Sequence, residues 1–504
     1  MMRHLTVLGV LAVLLALPIA LRESTPPAPA GVRRLVVLTP HGEPTRHEFG
    51  RAFTAWARTE RGIAVDVDWR TPGGTSEITR YLDERFRAEM GLAFPGLSLR
   101  AFNDPKAPED PARQAFLASS VGVGVDVLFG GGEFPFRAHA AKGYLVDTGL
   151  RQQEPTWFEP SNIPQRLSGE TVYDPEGRYY GACLAVFGIA ANPERLHDLG
   201  LPVPAQWADL ATPAYFRRLT LADPTKSGAV VTACERILQQ QMAAHGPAEG
   251  WRRGQVLIRL MVANSRWITD SASKPTRDTA RGDTVASMAI DFQAKAEAEW
   301  SAHESGGEPR LVFTAPAGGT SVSADPIAVL RGAPEPELAA AFLHFVLSPV
   351  GQRLWNYRVG TPGGPDRYAL RRAPVRADVL TPADRALMSD PDLDPQALAE
   401  RFTYDPALTA HLYPLIGPFI KATALDPRED LTAAWAAIIA AGGADRVPEA
   451  WAALTDLAVP YSEAVAATAD LRKGPLVAAS LVRAWCERSQ ASYRRATSLA
   501  EEGR

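Results

Sequence analysis

The stretch Leu35-Val36-Val37-Leu38-Thr39-Pro40-His41-Gly42-Glu43-Pro44-Thr45-Arg46-His47-Glu48 decides how this chain is read. Four consecutive apolar residues form a short run of the kind a buried strand uses. Pro40 and Gly42 break it. Thr45 and Glu48 have the spacing of a capping box, and Phe49, Phe53, Trp56 and Ala57 follow at helical spacing. The unit is strand, polar turn, helix, and it repeats. Ile63, Val65, Val67 and Trp69 alternate with Ala64, Asp66 and Asp68 as a strand, Thr71-Pro72-Gly73-Gly74 ends it, and Ile78, Leu82 and Phe86 mark a helix. Val125 to Phe129 is a third strand, broken by Gly130-Gly131-Gly132 before a helix that ends near Lys142. Repetition of this kind predicts an α/β fold with a mostly parallel sheet covered by helices on both faces. Ligands bind such sheets at the carboxyl ends of strands, beside helix N-termini.

A second alternating region begins near Tyr179. The apolar run Tyr180 to Ile189 is bounded by Asn192-Pro193. Leu219-Thr220-Leu221 leads through Asp223-Pro224-Thr225-Lys226-Ser227-Gly228 into a helix carrying Val231, Cys234, Ile237 and Leu238. Strands are expected again over 285–292 and 311–313. Ser348-Pro349 opens a helix in the favoured order of cap then proline. From about Arg372 onward the pattern is helical.

Composition narrows the function classes. The chain has 504 residues, 46% hydrophobic and 22% charged, with a formal net charge of −4. That is an ordinary globular composition with no global bias toward nucleic acid. Cys183, Cys234 and Cys486 show no metal-ligand or C-x-x-C spacing and read as small buried hydrophobes. A Cys183–Cys234 disulfide stays open for an exported chain. Thr225-Lys226-Ser227-Gly228 lacks the glycines of a phosphate loop, so helix capping and ligand contact both account for it. Asp390, Asp392 and Asp394 imitate the start of a calcium loop, but Pro395 and Arg401 stand where Gly and Glu are needed; Asp394 is expected to cap a helix instead. No G-x-S-x-G or H-E-x-x-H occurs. The expectation is a binding protein with no catalytic residues, metal or cofactor.

The N-terminus reads as an export element. Met1-Met2-Arg3-His4 is basic, and Leu5 to Leu21 carries no charge. Ala28-Pro29-Ala30 fits a cleavage site, and a retained membrane anchor fits as well. No cysteine follows the apolar run to accept a lipid. A periplasmic or other extracytoplasmic location follows.

Several segments, taken in order, resemble the bacterial extracellular solute-binding proteins of the group that includes ferric-ion, polyamine and thiamine binders. They are the VVLTPH turn, the GIAVDVDW strand with GGTSE, Asp126-Val127 before the triple glycine, Gly143-Tyr144-Leu145-Val146, Tyr180-Gly181, and Ile189 to Pro193. Pro204 to Leu210, the ADPTKSG turn, Arg281-Gly282-Asp283 and AAAFLHFVLSPVGQ over 339–352 complete the series. The resemblance spans roughly 33–360. It implies a type 2 periplasmic-binding fold of two α/β lobes with two crossovers, near 187–192 and 285–291. Lobe 1 is then 33–186 with 290–371, lobe 2 is 187–289, residues 1–32 are signal or anchor and linker, and 372–504 form a C-terminal helical extension. The family's ferric binders use a late consecutive tyrosine pair. Tyr179-Tyr180 comes too early in the chain for that role.

The implied function is that of a monomeric receptor for an ABC permease in the cytoplasmic membrane, closing on a small polar solute such as an anion, a metal complex or a polyamine, with no nucleic-acid partner. A membrane-tethered sensor on the same fold is the alternative, and a secreted hydrolase a further one. Candidate ligand residues are Thr39, His41, Gly73, Gly74, Thr75, Gly132 and Glu133 from lobe 1. Lobe 2 offers Thr225, Lys226, Ser227, Gly228, Asn264, Trp267 and Asp270, with Asp291 at the return crossover. Glycines let backbone N–H groups approach a ligand, hydroxyls add direction, and helix N-termini favour anions. Glu133 and Asp291 argue the other way, for a cation, unless they serve as helix N-terminal charges.

Overall fold

The computed structural model describes residues 31–456, 459–471 and 474–504. The basic N-terminus, apolar run and cleavage motif lie outside the described residues. Lobe 1 begins with β1 (Arg33–Leu38), α1 (Glu43–Arg61), β2 (Val65–Arg70), α2 (Thr75–Ala93), β3 (Val127–Phe129) and α3 (Glu133–Lys142). β1 pairs in parallel with β2 on one side and β3 on the other. Leu35, Val37 and Leu38 are fully buried, because helices cover both faces of the sheet. The capping box does not form. α1 starts earlier, at Glu43 with Pro44 in its first turn, and Glu48 is buried, accepting the backbone N–H groups of Asp366, Arg367 and Tyr368 at 2.8 Å each.

β4 (Tyr180–Ala191) runs through both lobes. β5 (Leu219–Ala222), α4 (Gly228–His245), α5 (Pro247–Ala263), β6 (Ser265–Thr269), α6 (Lys274–Ala280), β7 (Ala286–Ile290), α7 (Asp291–Ser305) and β8 (Val312–Thr314) then build lobe 2. β9 (Val322–Leu330) returns to lobe 1 and is followed by α8 (Pro336–Leu347). The strand order is β2-β1-β3-β9-β4-β7-β5-β6. β4 meets β9 antiparallel from Tyr180 to Val186, and β7 and β8 antiparallel from Phe187 onward. The first crossing therefore sits inside one continuous strand. The return crossing comes later than 285–291, since β7 and β8 both pair in lobe 2; it lies over 315–321.

The chain beyond 372 is not a separate body. β10 (Ala373–Pro374) pairs with β4. α9 (Tyr413–Ile420), α10 (Arg428–Ala440), α11 (Pro448–Thr455), α12 (Tyr461–Leu471) and α13 (Pro475–Glu501) then share one apolar core with lobe 2, in which Leu415, Ile416, Trp485 and Tyr493 pack with Trp251 and Met261. Polar joints fix this union. The Trp251 indole donates to the Val459 carbonyl at 3.1 Å, and the Trp435 indole to Asn264 Oδ1 at 2.8 Å. Among the described residues no helix is long and apolar enough to cross a membrane. Cys183 and Cys234 are buried free thiols, Cys183 in the lobe-1 core and Cys234 in that of lobe 2.

Candidate functional site

A cavity of about 490 Å³ lies between the lobes. The first turns of three helices face it: α2 at Gly74 and Thr75, α3 at Gly132 and Glu133, and α4 at Ser227 and Gly228. Each ends a strand-turn-helix unit, so the cavity collects unpaired N–H groups and the positive ends of helix dipoles. The lobes are shut upon it. A Cβ built on Gly74 of lobe 1 would lie 3.8 Å from the Lys226 carbonyl oxygen of lobe 2.

The triple glycine shapes one wall. Gly130, Gly131 and Gly132 have φ of 87°, 124° and 82°, and a Cβ on Gly130 would come 2.6 Å from the His41 ring. Only glycine satisfies both demands there. The Gly131 and Gly132 N–H groups do not wait for a ligand; they donate to Asp325 Oδ1 at 2.6 and 3.2 Å. Asp325 Oδ2 meets His41 Nε2 at 3.1 Å and accepts from Arg372 Nη2 at 2.7 Å. Burial raises the Asp325 pKa, but Arg372, His41 and the Gly131 N–H outweigh it and hold the carboxyl well below the usual carboxylate range. Burial keeps His41 below the ordinary histidine value against the pull of Asp325.

A second buried network closes the opposite side. Arg236 donates to Glu170 Oε1 at 2.8 Å, to Glu235 Oε2 at 2.7 Å and to Ser321 Oγ at 2.6 Å. The Tyr404 ring covers its guanidinium at 4.1 Å, and the Tyr404 hydroxyl donates to Glu235 Oε1 at 3.0 Å. Burial disfavours the charged guanidinium, yet the two glutamates more than offset it and raise its pKa. Glu133 accepts from the Tyr179 hydroxyl at 2.8 Å and lies 3.7 Å from Arg137, while burial raises its pKa. Five carboxylates and five cationic side chains line the cavity. The formal charges cancel, since Arg236 is shared by two glutamates; Lys226, Arg166 and Asp270 are in no ion pair among the described residues. Against that balance the three helix N-termini add partial positive charge, with the unpaired Lys226 beside the α4 terminus.

Nine of the residues nominated from sequence line this space: His41, Gly74, Thr75, Gly132, Glu133, Lys226, Ser227, Gly228 and Asp270. Six stand outside it. Thr39 bridges β1 and β3, donating to the Phe129 carbonyl at 2.6 Å. Gly73 shapes the turn before α2, where a Cβ would strike Glu77 at 2.8 Å. Thr225 turns back onto Asp223 at 2.7 Å. Asn264 is fully buried and donates to the Leu210 and Thr212 carbonyls at 2.8 Å. The Trp267 indole donates to Asp278 at 2.8 Å. Asp291 is buried, accepts the Val186 N–H at 3.2 Å, and borders a different cavity behind the crossing strands, beside Lys295 and Asp390. It is thus removed from the argument for a cation. Sequence reading missed Asp325, Arg372, Glu170, Glu235 and Arg236. A charge inside the apolar strand β9 and an adjacent Glu-Arg pair within α4 were the available signals. Among the described residues no cluster suited to a metal ion occurs.

Comparison with known proteins agrees with this architecture. Residues 136–385 match the bacterial extracellular solute-binding protein family. A phosphoglycerate transport regulatory protein of Salmonella typhimurium, PgtC, is 28% identical over 217 residues, covering 43% of this chain and 48% of that protein. An uncharacterized Haemophilus influenzae protein is 27% identical over 230 residues, 45% of this chain and 60% of that one. The chain thus matches about half the length of the curated Salmonella relative. The periplasmic binding protein AfuA of Actinobacillus pleuropneumoniae, solved with fructose-6-phosphate, superposes with a TM-score of 0.50 at 19% identity, covering 80% of this chain and 97% of AfuA. The family match, seated on a two-lobed fold with a cleft at the strand ends, places residues 136–385 among the bacterial extracellular solute-binding proteins.

Proposed function

We propose that this protein is an extracytoplasmic receptor that captures a small organic anion, carrying a phosphate or carboxylate group on a polar body, and delivers it to an ABC permease. The observation that carries this reading is the convergence of the α2, α3 and α4 N-terminal turns, with uncommitted Lys226, on one closed interlobe cavity. An anion bridging α2 and α4 contacts both lobes only when they are shut, so binding selects the closed form. The cavity's one histidine is held by Asp325 and Arg372, which suits a fixed wall and not a proton shuttle. Two similar proteins are associated with phosphorylated compounds: PgtC by its name, with phosphoglycerate, and AfuA by its structure, solved with fructose-6-phosphate bound. Calorimetric titration with 3-phosphoglycerate, fructose 6-phosphate, spermidine and ferric citrate tests the reading. Heat and compaction in small-angle scattering are expected with a phosphorylated compound. Binding of spermidine alone would overturn it. The name of PgtC, a transport regulatory protein, favours a second reading in which the same closed receptor signals to a membrane partner instead of feeding a permease.

A further inference from the structure

The family match ends at residue 385, and Tyr413 lies beyond it at the start of α9. Its side chain touches the first turn of one helix from each lobe. On the lobe-2 side the hydroxyl donates to the Gly228 carbonyl at 3.1 Å and lies 3.2 Å from Thr232 Oγ1, both on the first turns of α4. On the lobe-1 side the ring stacks on Phe134, with centroids 4.1 Å apart and planes at 25°. Phe134 is the second residue of α3, next to Glu133, and the Arg137 guanidinium covers its ring at 5.5 Å. The junction is tight on the α2 side too: a Cβ on Gly228 would lie 4.0 Å from Thr75 Cβ.

The geometry points to Tyr413 as a positioning residue that clamps the α4 N-terminal turn of lobe 2 to the α3 N-terminal turn of lobe 1 and so holds the cleft shut. Phe134 and Tyr413 sit on opposite lobes, so their stack exists only in the closed form and biases the open–closed equilibrium before any solute arrives. Ser227 caps α4 through a long 3.4 Å hydrogen bond to the Val230 N–H. The phenol therefore adds a tether to a turn whose own cap is weak, and whose N–H groups face the cavity. A stacked aromatic pair of this kind shifts such an equilibrium by roughly two- to tenfold. On this view the residues beyond 385 are part of the receptor's closing mechanism. In its affinity consequence the inference rests on the cleft being the solute site; in its closure consequence it does not.

The test is hydrogen exchange on the full chain without solute, read at the backbone amides of 229–232 and at those of Phe134, Phe136 and Arg137. Phe134→Ala and Tyr413→Ala are each expected to speed exchange in both turns by roughly two- to tenfold. Tyr413→Phe keeps the stack, so protection in the α3 turn should be restored while the α4 turn loosens alone. Phe134→Leu, which keeps apolar bulk without the flat ring, should fall between wild type and Phe134→Ala, and guards against a variant that merely folds badly. Exchange at 229–232 that is unchanged by Phe134→Ala, or a Tyr413→Phe chain that behaves as Tyr413→Ala, overturns the clamp. If 3-phosphoglycerate and fructose 6-phosphate fail to bind wild type, the reading of the solute falls while the exchange result still decides the clamp.

Discussion

Replacing Arg372 by Met should destabilise lobe 1 severely, and in a pH-dependent way. The guanidinium is 5% exposed and donates to Asp325 Oδ2 at 2.7 Å; the Asp325 side chain is 14% exposed. Removing one partner of a buried ion pair leaves the other charge uncompensated, at a cost of about 3–5 kcal/mol. At about 2–4 °C per kcal/mol for a body of one lobe's size, the melting midpoint at pH 8 should fall by about 6–20 °C. Asp325 would keep the Gly131 and Gly132 N–H groups and His41 Nε2. In wild type, burial and Arg372 both hold the His41 pKa down, so folding gains from a neutral imidazole and loses some of that gain as pH falls through the unfolded value of about 6.5. In the variant the repelling guanidinium is gone and Asp325 is unneutralised, so the His41 pKa must rise. Proton uptake by His41 then penalises the fold less than it does in wild type, and the deficit should shrink between pH 8 and pH 5.5. Adding Asp325→Asn removes the orphaned charge and should recover much of the loss at pH 8. Differential scanning calorimetry of wild type, Arg372→Met and the double variant at both pH values decides it. A loss under about 1 kcal/mol at pH 8, or no recovery in the double variant, would refute the view that this pair holds the cavity wall through charge.

Ser227→Asp places a carboxylate at the α4 N-terminus beside the cavity; a bound phosphate or carboxylate should be held at least about tenfold more weakly, measured by titration, because two anions about 4 Å apart at a partly screened site repel by up to about 4 kcal/mol. Gly130→Ala forces an L side chain into φ of 87° and against His41, so a loss of about 1–3 kcal/mol is expected in chemical denaturation. Asn264→Ala strips partners from the Trp435 indole and two buried carbonyls, and should cost about 2–5 kcal/mol while leaving solute affinity within a few-fold. Iodoacetamide at pH 7.5 should label Cys486 first in the native chain, since burial pushes the Cys234 thiol up to about 12 and encloses Cys183 as well; equal labelling of all three would contradict the packing described.

Local pattern determined much of this protein. The run Leu35 to Leu38, the triple glycine after Phe129 and the polar turn before Gly228 each specify a strand, a break and a helix start, because apolar period and turn chemistry act over a few residues. Those units place a cavity at strand ends, which is why His41, Thr75, Glu133 and Ser227 are legible in the amino-acid sequence itself. What local pattern cannot express is pairing across the chain. Asp325 and Arg372 are ordinary charges in sequence, and they become a wall of the cavity only because β9 and β10 flank the lobe-1 half of β4. Glu48 has the spacing of a cap but is drawn away by three N–H groups more than 300 residues distant. Asn264 has the character of a pocket amide and is instead a joint between lobe 2 and α10, because burying two carbonyls and an indole N–H there demands a partner for each. The residues beyond 372 read only as helices. That they complete the lobe-2 core and bring Tyr413 across to Phe134 was decided by tertiary packing, since an amphipathic helix declares that it has an apolar face but not which surface that face will cover.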